Sequence, residues 1–113
     1  MMKKYEIWIA DLNPQMGTEA GKVRPVVVVQ TNFLNGIHPS TIVCPLTTNI
    51  RPGASILRLH LSAGSAGLTA DSDILMDQLR AIDNRRLLHR VGLLSTPLRR
   101  QLDENLKIVL DLS

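Results

Sequence analysis

The sequence predicts a mainly β fold with one C-terminal helix (an α+β chain), built as a small barrel or curled sheet with the helix packed on it. Three observations lead there. Short apolar blocks with strand periodicity recur between residues 6 and 82, separated by Gly, Pro and Asn turn chemistry. After Ser95 the period changes, and Leu98, Leu102, Leu106, Val109 and Leu110 fall on one helical face. The length of 113 residues fits one domain, residues 1–113, and such a chain buries about two-thirds of its unfolded surface.

Taken in order, Glu6–Leu12 alternates around Ile7, Trp8 and Ile9 and reads as a strand. Asn13-Pro14 with Gly17 and Gly21 makes Asn13–Lys22 a loop. Val26–Gln30 opens on four valines without polar alternation, the pattern of a strand buried on both faces. Thr31–Ser40, with Asn35-Gly36 and Pro39, is a second loop. Thr41–Leu46 and Ser55–Leu61 follow as strands around an Arg51-Pro52-Gly53 turn. Ser62–Thr69, with Gly64 and Gly67, is a connection, and Asp73–Ile82 is a third apolar block, extended and interrupted at Asp77. Ser95 or Thr96 caps the final helix, with Pro97 in the first turn where proline is tolerated best.

Composition excludes several function classes. Hydrophobic residues at 44% and charged residues at 20% describe a globular soluble chain. Cys44 is the single cysteine, which rules out an internal disulfide framework and a cysteine-based zinc site, and suits a reducing cytoplasm. Glu6 and Asp11 break the apolar run that a signal peptide would need after Met1-Met2-Lys3-Lys4, and no stretch has the length of a membrane helix. The net charge of +3 is uneven: Arg80–Arg100 carries six arginines against Asp83 alone. Nine arginines against four lysines suit bidentate contact with phosphate or carboxylate, although a charge cluster alone more often marks a solvated face.

The sequence carries none of the familiar catalytic patterns. There is no phosphate loop, dinucleotide fingerprint, zinc-protease motif or nucleophile elbow. Asp71, Asp73 and Asp77 begin like a calcium loop but lack its glycine and terminal glutamate. His38, His60 and His89 share no ligand spacing, and Cys44 within a strand pattern reads as a buried, inert thiol. No metal and no cofactor are expected. Polar residues at strand edges remain: Glu19 in the glycine loop, Arg24 before the valine strand, Thr47 and Thr48 after Leu46, and Asp77 and Gln78 after Met76. Singly, each has an ordinary role as ion-pair partner, turn hydroxyl or backbone cap. Together they could line one groove, and spacing does not choose between these readings.

Three motifs in order do choose. Ile7–Pro14 with Gly17-Thr18-Glu19, Gly21 and Arg24-Pro25-Val26-Val27-Val28, then Pro45-Leu46-Thr47, then Asp77-Gln78-Leu79-Arg80-Ala81-Ile82-Asp83, resemble the MazF/PemK toxin family over nearly the whole chain. Arg86-Leu87 and Val91-Gly92-Leu93-Leu94 complete the order. The resemblance implies a small SH3-like β-barrel of the CcdB/MazF/PemK type and a homodimer. It implies an endoribonuclease that cuts single-stranded RNA, chiefly mRNA, at short specific sequences without a metal ion and is neutralised by a MazE-like antitoxin. The family's catalytic pair maps onto Arg24 and Thr47. Asp77 matches the proposed base of the PemK branch, whose partner Arg and His positions hold Leu75 and Thr18 here. Those departures favour an Arg/Thr site. Ala20 and Lys22 stand where the family commonly has Gln and Gly.

The chemistry suits these residues. The ribose 2′-OH attacks its own 3′-phosphate, so holding the strand in place already lowers the barrier. Arg24 offers a fork of donors to the phosphoryl oxygens and Thr47 adds a hydroxyl. The base is left open among Glu19, Asp77, Thr47 through water and solvent hydroxide. Thr18, Lys22, Thr48 and Gln78 are candidate RNA contacts. With only Tyr5, Trp8 and Phe33 aromatic, base stacking is a minor means of recognition, and polar loop groups are the better candidates. Two alternatives belong to other classes: a CcdB-like toxin that binds DNA gyrase without cutting, and an inactive relative acting as a binding module.

Overall fold

The computed structural model describes residues 1–113. Seven strands precede one helix: β1 (Glu6–Asp11), β2 (Val23–Val28), β3 (Ser40–Thr47), β4 (Arg58–Leu61), β5 (Ser72–Leu75), β6 (Arg80–Asp83), β7 (Leu87–Leu93) and α1 (Thr96–Leu110). All pairings are antiparallel, in the order β4-β5-β3-β2-β1-β7, with β6 also on β3. The expected class of curled sheet plus C-terminal helix is the one observed. The sheet stays open, since β4 and β7 end it without pairing to each other.

Strand β3 explains the curl. Its first half, Ser40–Val43, pairs with β6, and its last two residues, Leu46 and Thr47, pair with β5. The chain passes from β5 to β6 through a single 3-10 turn, Met76–Gln78. The block expected to run extended from Asp73 to Ile82 is therefore two strands. Met76 is fully buried while Asp77 is exposed, and a turn places those neighbours in such different surroundings without breaking the core.

The valine strand is buried on both faces, as its lack of alternation predicts. Val27 packs with Ile7, Cys44, Leu46, Ile74 and Leu102 beneath the helix. Val26 and Val28 face the opposite way, into a second core with Ala10, Leu12, Val43 and Ile82. Cys44 lies in the first core, where burial, followed by the nearby Asp77 charge, pushes its thiol up to about 12. It is inert at neutral pH.

Several boundaries differ from expectation. The second strand begins at Val23, so Arg24 lies inside it and pairs with Ala10. It ends at Val28, although Val29 N–H still reaches Ile42 O, and Gln30 is buried with its amide bonded to Asn35 and Ser40. Ser55–Leu57 form a turn, and only Arg58–Leu61 is extended. Strand β7 was not expected. Two register shifts against β1 break its side-chain alternation, and Arg90 disguises it by ion-pairing with Glu6 at 2.7 Å. In the helix, Leu102 is buried and Leu98, Leu106 and Val109 pack on the core, but Leu110 is turned away and exposed. Ser95 stands at the cap with no side-chain bond, so Pro97 and the packed face define this start.

Candidate active site

The site begins with how two strands end. In the β2–β3 register Val26 faces Pro45. Carried two residues further, the same register sets Arg24 across from Thr47, their side chains on one face of the sheet. Proline at 25 and at 45 removes ladder donors, so this end is held by side chains instead. Arg24 Nε donates to Gly21 O at 2.7 Å, and Nη1 donates to Leu46 O at 3.3 Å. These bonds fix the guanidinium plane across the gap between the strands, with its remaining N–H groups free to donate.

Thr47 is half-buried, and its Oγ1 accepts from Asn49 N–H at 3.1 Å. That turn uses a lone pair of the hydroxyl and leaves its hydrogen available. Arg24 and Thr47 share a cavity of about 390 Å³ with Lys22, Thr48, Asn49 and Ser72. No carboxylate lines it. Two cationic side chains, Lys22 and Arg24, face hydroxyl and amide groups there, an arrangement that attracts an anion and offers it donors.

The loop between β1 and β2 is tied down from both ends. Lys22 N–H donates to Asn13 Oδ1 at 2.9 Å and Lys22 O accepts from Leu12 N–H at 2.9 Å. Lys22 has φ +68°, a left-handed conformation that glycine adopts at no cost. Gly21 lies against Gln15, where a Cβ would collide with that side chain. Gln78 holds the middle of the loop: its Oε1 accepts from Ala20 N–H at 2.7 Å and its Nε2 donates to Thr18 O at 3.1 Å. Ala20 is buried as part of the second core.

The eight predicted site residues thus fall into two groups. Arg24, Thr47, Lys22 and Thr48 line the first cavity. Thr18, Glu19, Asp77 and Gln78 line a second of about 220 Å³, together with Arg80. Residues 18–22 contribute to both, so the loop lies between them. Glu19 and Asp77 are exposed and stand with the second group, away from the Arg24–Thr47 pair. Arg80 Nη1 is buried there without a hydrogen-bond partner.

Sequence reasoning missed Asn49, Ser72 and the carbonyl of Gly21. The first signals its role only through the Thr47 turn. The other two depend on strand pairing and loop path, which no local pattern announces. It also missed Asp73, which is 2% exposed. Asp73 accepts from His60 Nδ1 at 2.9 Å, Arg58 Nη1 at 3.1 Å and Arg51 N–H at 3.2 Å. Burial pulls its carboxyl upward, but those three donors outweigh it and hold it below the usual range. No three His, Cys, Asp or Glu side chains gather in ligand geometry. No helix is long and apolar enough to cross a membrane.

Comparison with known proteins adds the following. A family model described as PemK-like, MazF-like toxin of type II toxin–antitoxin systems matches residues 3–110. The chain is 35% identical over 112 residues to Endoribonuclease EndoA of Bacillus subtilis, covering 99% of this chain and 97% of that one. Among solved structures, MazF from Deinococcus radiodurans superposes with a TM-score of 0.81 at 22% identity, over 97% of this chain and 96% of that one. The MazE–MazF complex from the same organism gives a TM-score of 0.77 at 23% identity, over 99% and 97% of the two chains.

Proposed function

Because this chain belongs to the PemK-like, MazF-like toxin family of type II toxin–antitoxin systems, we propose that it is a sequence-specific endoribonuclease that cuts single-stranded RNA, chiefly mRNA, without a metal ion. The observation that carries this reading is the placement of Arg24 across from Thr47 in a cavity with no carboxylate. The scissile phosphate sits between them. The 2′-oxygen attacks phosphorus, its proton passes to water, and the bond to the 5′-oxygen breaks as that oxygen takes up a proton from water. Arg24, fixed by Gly21 O and Leu46 O, neutralises the charge that builds on the phosphoryl oxygens. Thr47 adds a neutral donor from the other strand. The products are a 2′,3′-cyclic phosphate and a 5′-OH.

Lys22 and Thr48 hold the flanking backbone in this reading. Glu19 and Asp77, in the neighbouring cavity, accept hydrogen bonds from base amino groups and so contribute to sequence choice. Thr18 lies on the same wall, and Gln78 acts by holding the loop at Thr18 and Ala20. A MazE-like antitoxin neutralises the enzyme, as the complex of the Deinococcus relative suggests. The working form is a cytoplasmic homodimer. Exposed Leu88 and Leu93 on β7, which ends the sheet, offer apolar surface to a second copy.

The test is to incubate the protein with a long single-stranded RNA in EDTA and map the ends. Discrete cuts leaving 5′-OH and cyclic phosphate ends are expected. Intact RNA after incubation with folded protein would overturn the reading and turn attention to a gyrase-binding or inactive relative.

A further inference from the structure

Beyond the Arg24–Thr47 cavity, the geometry points to a second phosphate-binding subsite formed by Arg51 and Arg58 beside the Asp73–His60 pair, which takes a backbone phosphate of the same RNA next to the scissile one. It rests on the nuclease reading for the identity of the polymer. Thr47 pairs with Asp73, and Asp73 pairs with His60. Directly opposed residues share a face, so Arg24, Thr47, Asp73 and His60 form one polar row across β2, β3, β5 and β4. From Thr47 to His60 the row spans two strand spacings, roughly 10 Å. A strand of RNA held at Thr47 and running along the row reaches His60 next.

The charge and donor balance around Arg51 and Arg58 also favours an anion. Arg51, Ser55, Arg58, His60 and Asp73 line a cavity of about 390 Å³, and Asp73 is the only acid in it. Both Asp73 oxygens are engaged, Oδ1 by His60 and Oδ2 by Arg51 N–H and Arg58. The bond to Asp73 uses His60 Nδ1 as the N–H donor, so His60 braces the carboxylate that positions Arg58 and is not itself a phosphate ligand. Arg58 is positioned by two acceptors, Asp73 Oδ2 and Asn49 O at 2.6 Å, and its side chain is 15% exposed. The Arg51 side chain has no partner within the chain; only its backbone N–H touches Asp73. What faces the cavity is therefore a net positive charge and guanidinium N–H donors, those of Arg58 held by a buried carboxylate. This is the donor set for a phosphodiester oxygen.

Asn49 joins the two sites. Its N–H bonds Thr47 Oγ1 and its carbonyl bonds Arg58. A phosphate drawn to Arg58 and a phosphate aligned at Thr47 thus act on the same short segment, and the subsite contributes to binding with no role in bond breaking.

The test uses Arg51→Gln, because that change leaves every Asp73 contact in place. The probe is a fluorescent single-stranded 2′-O-methyl RNA of mixed sequence, which lacks the attacking hydroxyl and stays intact during titration. Affinity is measured by anisotropy across a salt series for the wild-type protein, Arg51→Gln and Arg51→Lys. Removing one phosphate contact should weaken binding about fivefold and make the salt slope shallower by about 0.7. Arg51→Lys should recover most of the slope. A wild-type slope and affinity in Arg51→Gln would overturn the subsite. So would an unchanged RNA slope combined with lost affinity for a polyglutamate peptide, which would give the cavity to a protein partner. Cleavage of a long transcript by the wild-type protein reports on the nuclease separately. Cutting with unchanged Arg51→Gln binding removes the subsite alone. Absent cutting with weakened Arg51→Gln binding keeps the subsite and removes the nuclease reading.

Discussion

Arg24 and Thr47 stand across from each other at the ends of two antiparallel strands, two residues beyond the Val26–Pro45 pair. Each is held by backbone rather than by the other. Arg24 is fixed by Gly21 O and Leu46 O, and Thr47 by Asn49 N–H. Both present unengaged donors to one cavity, so the polar groups are in place before any substrate arrives. In the proposed reaction, such preorganised donors face the charge that develops on the phosphoryl oxygens.

The first prediction concerns the shape of the Arg24 side chain. Arg24→Ala should lower single-turnover cleavage by ~10²–10³ with the fold retained. Arg24→Lys should recover little, because an ammonium cannot bond Gly21 O and Leu46 O while also forking to a phosphate. Cleavage rates beside circular dichroism check this. Full activity in Arg24→Lys would mean that charge alone matters.

The second separates the Thr47 hydroxyl from its methyl. Thr47→Ser keeps the acceptor for Asn49 N–H and should retain most activity. Thr47→Ala should lose on the order of 10²-fold, with stability changed by about 1 kcal/mol or less. Equal activity in the two variants would make the residue structural.

Gln78 tests the loop. Gln78→Leu removes both amide bonds and leaves the buried Ala20 N–H without a partner, at a cost of roughly 1–3 kcal/mol. KM for RNA should rise more than kcat falls, and the loop between Asn13 and Lys22 should become the first site of limited proteolysis. Unchanged proteolysis would show that the loop is held by the bonds of Leu12 and Asn13 to Lys22 alone.

Asp73 should make stability acid-sensitive. Its carboxyl is held below the usual value near ~3.9 by His60, Arg51 and Arg58 against the opposing effect of burial. A depressed carboxylate contributes fully above the unfolded value and loses that contribution as pH falls through the folded one. Melting temperature should therefore drop below about pH 4. Asp73→Asn should melt lower at pH 7 and decline less steeply in acid. Glu6, also held low against burial by Trp8, Arg90 and Lys3 N–H, supplies part of the same slope and should remain in the variant.

Lys22 carries a backbone conformation that suits glycine. Lys22→Gly relieves left-handed strain of about 1–2 kcal/mol but loosens the unfolded chain by about 0.5–1 kcal/mol. Stability should hold or rise slightly, while RNA affinity falls through loss of the charge. Chemical denaturation and filter binding measure the two sides.

The β-rich class, the doubly buried valine strand and the C-terminal helix were legible because each rests on a local pattern. Val26–Val28 lack alternation, and Leu98, Leu102, Leu106 and Val109 keep helical spacing. Strand β7 was not legible, since two register shifts scramble its period and Arg90 pairs with Glu6 from 84 positions away. The split at Met76–Gln78 was hidden for a related reason: the apolar run continues through a turn whose first residue is core. The eight candidate site residues were legible only as motifs, and their division into two cavities follows from how residues 18–22 lie against Gln78. The Asp73 cluster was out of reach of spacing, because His60 and Arg58 meet Asp73 through pairing of β4 with β5, and Arg51 reaches it from the loop before β4.

A double-mutant cycle reads out whether Arg24 and Thr47 act on one phosphoryl group. Single-turnover cleavage would be measured for the wild-type protein, Arg24→Ala, Thr47→Ala and the double variant. If both side chains act on one phosphoryl group across the β2–β3 gap, the losses are coupled, and the double variant should be no more than about tenfold slower than the worse single variant. Losses that multiply in full would show that the two residues act independently and would contradict a shared site.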